Sequence, residues 1–160
     1  MIPLRHGEWL PDDGSAHERS EVSAVVGRGD TAWARASRDL LRWRVKTRSG
    51  FSVNDDGPVQ VGARPTITFR ILGATIREPV EVVDVLESTD RVGFSYRTRP
   101  GHPVSGEEAF IVWRSGDDVV LSVRSLTRAS ARQPWRAAFP LLRIAQRVVR
   151  RRYLRALRVV

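Results

Sequence analysis

Cysteine is missing from all 160 residues. Its absence excludes disulfides, thiolate zinc sites and a cysteine nucleophile, and it suits a reducing compartment. Lysine is nearly absent: Lys46 is the single lysine among 27 basic residues, and the others are arginine. Histidine occurs three times, at His6, His17 and His102. None of these has a His-x-x-x-His or comparable spacing, so no metal site is expected. No Gly-x-Ser-x-Gly element marks a serine nucleophile. Gly27-Arg28-Gly29 lacks the third glycine and the lysine of nucleotide loops, so it reads as a strand-to-helix turn and no cofactor is expected. Long apolar runs are also lacking. The longest are about five residues, far short of the ~20 that span a bilayer as a helix. Met1 to Leu10 shows no signal-peptide core, and a cytoplasmic protein is expected.

What is present suits one globular domain. The apolar fraction is 41% and the charged fraction 28%, both ordinary for a packed chain of this length. The net charge of +9 is unevenly placed. Residues 131–160 hold nine arginines and no acid, which leaves 18 basic against 18 acidic residues in the first 130. Such an asymmetry marks either a contact with nucleic acid or anionic membrane, or a solvated helix face.

Residues 1–20 read as a loosely ordered lead-in, because Pro3, Pro11, Asp12, Asp13 and Gly14 are turn and breaker residues. Residues 21–160 read as a single α+β domain. Glu21 to Val26 is a short β-rich stretch. Asp30 stands where a helix N-cap belongs, and the helix extends to about Trp43 with Trp33, Ala36, Leu40 and Trp43 on one stripe. From Gly50 to Ser125 the period changes to two. Ile67, Phe69 and Ile71 alternate with polar residues, as do Phe94, Tyr96 and Thr98; Phe110 pairs with Val112, and Val119 with Leu121 and Val123. This pattern gives strands with one buried and one wet face. Turns at Asn54–Pro58, Ser88–Arg91 and Ser115–Asp118 set hairpin spacings and predict an antiparallel meander. Adjacent Val82 and Val83 break the alternation and point to a bulge.

The chain closes with a long helix over about Trp135 to Leu157. Leu142, Ala145, Val149, Tyr153, Ala156 and Val160 form its stripe, widened by Leu141, Ile144 and Val148. Arg143, Arg147, Arg151, Arg155 and Arg158 run along another side. The stripe needs a partner, and the concave face of the sheet is the one large surface available. Pro140 predicts a late start or a kink. The fold expected is a curved antiparallel sheet wrapped around a long C-terminal helix.

Several stretches resemble the uncharacterised DUF1990 (UPF0548) family, in collinear order from about residue 20. Gly27-Arg28-Gly29, Trp33, Arg35-Ala36, Leu40 to Arg44 and Ser49-Gly50-Phe51 resemble its start. Gly93-Phe94-Ser95-Tyr96, Pro100-Gly101-His102-Pro103 and Gly106 to Phe110 resemble its most specific motif. Gln146 and Arg152 to Leu157 resemble its end. The resemblance implies a helix-grip fold of the START/Bet v 1 superfamily, with an apolar cavity between sheet and helix, and no established activity.

The segment Pro100 to Glu108 concentrates chemistry. His102 has the ordinary pKa for acid–base work near neutrality. Glu107 and Glu108 are successive strand residues, so they point to opposite faces. Glu108 shares parity with Phe110 and is the one expected inside, where it either needs a partner such as an arginine or has its pKa raised. The same residues suit a purely structural loop. Phe51, Phe69, Phe94, Tyr96 and Phe110 have the parity of a buried face. They either fill a core or line a cavity, in which Tyr96, Thr98 and Ser125 supply polar groups. The candidate ligand-binding set is therefore Phe51, Phe69, Phe94, Tyr96, Thr98, His102, Glu108, Phe110 and Ser125. The primary expectation is a binding module for a small apolar or amphipathic molecule. One alternative is an enzyme using His102 and Glu108 as acid and base. Another is an interaction protein that uses the arginine face on nucleic acid or anionic membrane.

Overall fold

The alternating segments fold as seven antiparallel strands in the computed structural model, which describes residues 1–5, 9, 17–129 and 135–158. In chain order the elements are β1 (Glu18–Arg28), α1 (Gly29–Leu40), α2 (Arg44–Thr47), β2 (Ser52–Val53), β3 (Thr66–Ile71), β4 (Ala74–Glu87), β5 (Arg91–Thr98), β6 (Val104–Ser115), β7 (Asp118–Ala129) and α3 (Trp135–Ala156). The strand order is β1-β7-β6-β5-β4-β3-β2. β2 to β7 are thus a meander in which each strand pairs with its successor. β1 pairs with β7 at the far edge, so α1 and α2 carry the chain from one edge of the sheet to the other. α3 packs against β7, β1, β6 and α2.

Register puts the inner face together. Phe94 lies opposite Phe110, Phe110 opposite Val123, and Val112 opposite Leu121. With Val80, Val82 and Val119 these residues form the main core beneath the helices. The expected bulge is present at Val83. Val82 pairs with Tyr96 and Asp84 with Ser95, which leaves Val83 without an opposite residue. The extra residue reverses the facing along β4: Val80 and Val82 enter the inner core, whereas Leu86 joins a second cluster on the outer face.

That second cluster changes the reading of the lead-in. Ile2 and Leu4 are buried against Leu86, Ala109 and Ile111, and the Ile2 N–H donates to Glu107 Oε2 at 2.8 Å. Two apolar residues flanking Pro3 cover the outer face of β6, a role that the breaker residues concealed. Pro11 to Gly14 and His6 lie outside the described residues, as does Val160 of the helix stripe.

The first helix also departs from expectation. Its N-cap is Arg28, with no side-chain cap. Asp30 sits one position inside the first turn, where its carboxylate accepts from Arg114 at 2.8 Å. A carboxylate there still faces the positive end of the helix dipole. α1 ends at Leu40 rather than Trp43, because Trp43 adopts φ 60 in the left-handed region. That conformation costs about 1–2 kcal/mol for a residue with a Cβ. Burial of the indole offsets it: Trp43 is 1% exposed and meets Phe94 edge-on at 4.9 Å, and a ring of this size removes about 150–250 Å² from water. The turn redirects the chain so that α2 lies over the inner face of the sheet.

α3 is a continuous helix that contains Pro140. Leu142, Ala145, Val149 and Tyr153 turn inward. Leu141, Ile144 and Val148 do not widen the buried stripe; they are 71%, 58% and 49% exposed. One helix laid on one sheet buries a single stripe, and these three residues fall on its outer side.

Candidate functional site

The inner face of the sheet and α3 do not close completely. Between them lies a cavity of about 100 Å³. Phe51, Phe69, Val104, Leu142, Ala145 and Val149 supply apolar wall, and Tyr96 and Tyr153 line it with both ring and hydroxyl. Lys46, Glu78, Thr98, His102, Glu108, Ser125 and Arg150 bring polar groups to the same wall.

Lys46 is the centre of this polar set. α2 places it beneath the helix, 1% exposed. Its Nζ donates to Glu108 Oε2 at 3.0 Å and to Tyr153 Oη at 2.5 Å. Tyr96 Oη donates to the same Glu108 oxygen. The rings of Tyr153, Phe51, Tyr96 and Phe110 stand 4.6, 5.1, 5.2 and 5.3 Å from Nζ. A desolvated cation over an aromatic face gains about 2 kcal/mol or more. The ammonium is thus held by one carboxylate and a cage of four rings. Burial and the nearby negative charge of Glu108 raise both tyrosine pKa values well above their usual range, so the hydroxyls keep their protons.

Strand parity separates the two carboxylates as expected. Glu108 stands opposite Tyr96 on β5 and opposite Ser125 on β7. Glu107 instead accepts from Ile2 beneath the outer cluster. The cationic partner of Glu108 is a lysine rather than an arginine. No periodicity marks a residue on a four-residue helix, so the one sequence signal for Lys46 was its being the only lysine.

His102 is buried in the turn between β5 and β6 and lines the cavity. Its Nδ1 accepts the Val104 N–H at 3.1 Å, which leaves the proton on Nε2. Burial lowers its pKa to about 4, helped by the charge of Lys46 and opposed by Glu108. His102 is therefore neutral at pH 7 and presents an N–H donor, not a base. Glu78 has the near-neutral value instead. Desolvation raises its carboxyl to about 7, against the pull of Lys46 and with the repulsion of Glu108. Glu78 shares the even parity of Val80 and Val82, so its inward facing was readable in the sequence.

Seven of the nine expected ligand contacts border the cavity: Phe51, Phe69, Tyr96, Thr98, His102, Glu108 and Ser125. Phe94 and Phe110 do not. Both are fully buried, covered by Trp43 and Tyr153 respectively, because they lie deeper along β5 and β6 than the cavity reaches. Ser125 accepts from Arg150 at 2.8 Å, so one arginine of α3 faces inward. On the outer side Arg147, Arg151, Arg155 and Arg158 are exposed, whereas Arg143 is paired with Glu18 at 2.8 Å. Among the described residues no group of three His, Asp or Glu is placed to hold a metal ion, and no helix is long and apolar enough to cross a membrane.

A curved antiparallel sheet gripping a C-terminal helix, with a partly polar cavity between them, defines a helix-grip protein. Solved structures of similar shape agree. A hypothetical protein from Helicobacter pylori superposes with a TM-score of 0.64 at 14% identity, over 98% of this chain and 95% of that one. Major latex-like protein 151 from Panax ginseng gives 0.50 at 13% identity, over 86% and 99%. A protein from Arthrobacter aurescens gives 0.58 at 11% identity, over 87% and 85%. A curated relative, a UPF0548 protein of Deinococcus radiodurans, is 41% identical over 78 residues, which are 48% of this chain and 38% of that protein. The family model DUF1990, a domain of unknown function, matches residues 5–156. The chain belongs to the DUF1990 family.

Proposed function

We propose that the protein binds a small amphipathic molecule between the sheet and α3. The observation that supports this most is the cavity itself, whose apolar walls also carry hydrogen-bonding groups. A well-packed core of this size does not leave such a space without cost, since unfilled volume forfeits dispersion contacts. Ligand sites combine mostly apolar walls with a few fixed polar groups. Size limits the occupant. An enclosed apolar cavity of about 150 Å³ takes benzene; this one is smaller, about 100 Å³, but it is not fully enclosed, so a single ring or a chain of similar bulk fills it and reaches into its opening.

The polar groups set its head. Lys46 donates hydrogen bonds from Nζ to two protein acceptors, and His102, whose Nδ1 is taken up by Val104, also lines the space. A hydrogen-bond acceptor such as a carbonyl or hydroxyl oxygen complements them. Native mass spectrometry of gently purified protein tests the proposal, with the variant Ala145→Trp as control. Discrete masses lost on denaturation, and absent from a folded A145W protein, are expected. Ring-sized probes that bind wild type and A145W equally would refute it.

A second reading is favoured by the exposed face of α3. Leu141, Ile144 and Val148 lie on the same outer side as Arg147, Arg151 and Arg155. Apolar residues beside arginines suit an anionic lipid surface better than nucleic acid, for which stacking aromatics are wanted. Co-sedimentation with phosphatidylserine vesicles, lost in Ile144→Asp and weakened by salt, is the expected outcome. Equal recovery with neutral phosphatidylcholine vesicles would argue against it.

A further inference from the structure

Lys46 and its neighbours support a covalent use of the cavity. Twenty-six of the 27 basic residues are arginine, and arginine does not release its proton in proteins. Lysine does, and a neutral lysine amine attacks carbonyl carbon. The one lysine of this chain is 1% exposed and borders the cavity. We propose that Lys46 captures a small aldehyde or ketone in this cavity as a protonated imine, an inference that rests on the binding reading above.

The neighbours supply each proton transfer. Glu108 Oε2, 3.0 Å from Nζ, takes one proton from the ammonium. The freed lone pair adds to the carbonyl carbon, and the π electrons move to oxygen. Tyr153 Oη, 2.5 Å from Nζ, protonates that oxygen and recovers a proton from nitrogen, giving a neutral carbinolamine. Glu108 then returns its proton to the hydroxyl, water leaves, and the nitrogen lone pair closes the C=N bond. The net change is ammonium plus carbonyl to iminium plus water, with no oxidant or reductant. The product is again a cation against Glu108, inside the same four rings. The cage that holds the ammonium therefore also holds the iminium, and it excludes the water that would hydrolyse it. The cavity volume restricts the carbonyl compound to about one ring.

The test uses the full folded chain, benzaldehyde and cyanoborohydride, followed by peptide mapping. In a protein of these 160 residues the amines to be labelled are Lys46 and that of exposed Met1, and Met1 serves as the internal standard. Benzyl alcohol, of similar size without a carbonyl group, is the competitor. The expected result is labelling of Lys46 that saturates with benzaldehyde. Benzyl alcohol at ten times its Kd should slow it about tenfold, because about one site in eleven stays empty, while Met1 labelling is unchanged. Labelling of Met1 alone in the folded protein would overturn the proposal. So would Lys46 labelling that rises linearly with benzaldehyde and ignores benzyl alcohol. Binding of benzyl alcohol, read separately by ligand-observed NMR, separates the two claims. If it binds and Lys46 stays unlabelled, the imine chemistry fails and the cavity reading stands. If it does not bind and Lys46 stays unlabelled, both fail.

Discussion

Replacing Lys46 with methionine should destabilise the protein far more than its loss of side-chain volume suggests. Methionine fills nearly the same space, so the cavity term is small. What remains is Glu108, with its Oε2 deprived of the ammonium 3.0 Å away. Removing one partner of a buried ion pair costs about 3–5 kcal/mol, because the other charge stays desolvated. For a domain of 150–250 residues each kcal/mol lowers Tm by about 2–4 °C. The expected loss is therefore about 6–20 °C, a large share of the ~5–15 kcal/mol that keeps a domain folded. The double variant K46M/E108Q should recover much of it. Glutamine removes the orphaned charge yet still accepts from Tyr96, and neutral replacement of both partners of a buried pair is often nearly free. Differential scanning calorimetry of the three proteins is the assay. If K46M melts with wild type, or if the double variant is no better than K46M, then the pair is not buried as described.

Two pH effects of opposite sign follow from the cavity groups. Glu78 has a folded pKa near 7 against an ordinary 4.5, so its contribution is complete below about 4.5 and is lost as pH rises through 7. E78Q removes that dependence. Its stability relative to wild type should improve between pH 4.5 and 7, by up to about 3 kcal/mol at 1.36 kcal/mol per unit, as read by urea denaturation. His102 has a folded pKa near 4 against 6.5, so its contribution is present above 6.5 and is lost as pH falls through 4. H102N should therefore lose less than wild type on acidification over that window, measured the same way. Gly106 is a backbone requirement. Its φ is +148, and a Cβ there would lie 1.7 Å from the Leu126 carbonyl oxygen. G106A should cost more than about 3 kcal/mol, whereas G62A, with nothing within 4 Å, should cost only the roughly 1–2 kcal/mol of its positive φ. Similar losses in denaturant titrations of the two variants would contradict the β6–β7 register.

Much of this fold was legible because it is written in period two. Phe94 and Tyr96 on β5, Phe110 and Val112 on β6, and Leu121 and Val123 on β7 show their inner facing directly. The doubled valine at 82 and 83 announced the bulge. What stayed hidden was set by contacts distant in sequence. Ile2 and Leu4 are a strand's width of apolar cover, but their burial depends on Leu86, Ala109 and Ile111, more than 80 residues away along the chain. The termination of α1 depends on Trp43 accepting a left-handed φ to reach Phe94, which a 3–4 spacing represents as one more helical residue.

The candidate site was harder to read for a further reason. A filled core and a hollow one need the same alternation of Phe51, Phe69, Tyr96 and Phe110, so parity does not distinguish them. The distinction lies in the charges. Glu78 and Glu108 both share the inner parity, and two inward carboxylates cannot be enclosed by aromatic rings without a counter-ion or water. Lys46 answers one of them by ion pairing. Glu78 has no ion-pair or hydrogen-bond partner among the described residues, and burial pushes its carboxyl up to about 7. A sheet that carries two acids on its inner face at this end cannot close over them as it closes over Phe94 and Phe110. The polar cluster is thus a cause of the cavity and not merely its lining. On that argument E78L combined with K46M/E108L should collapse the space onto α3, seen as loss of ring-sized probe binding together with a Tm at or above that of wild type.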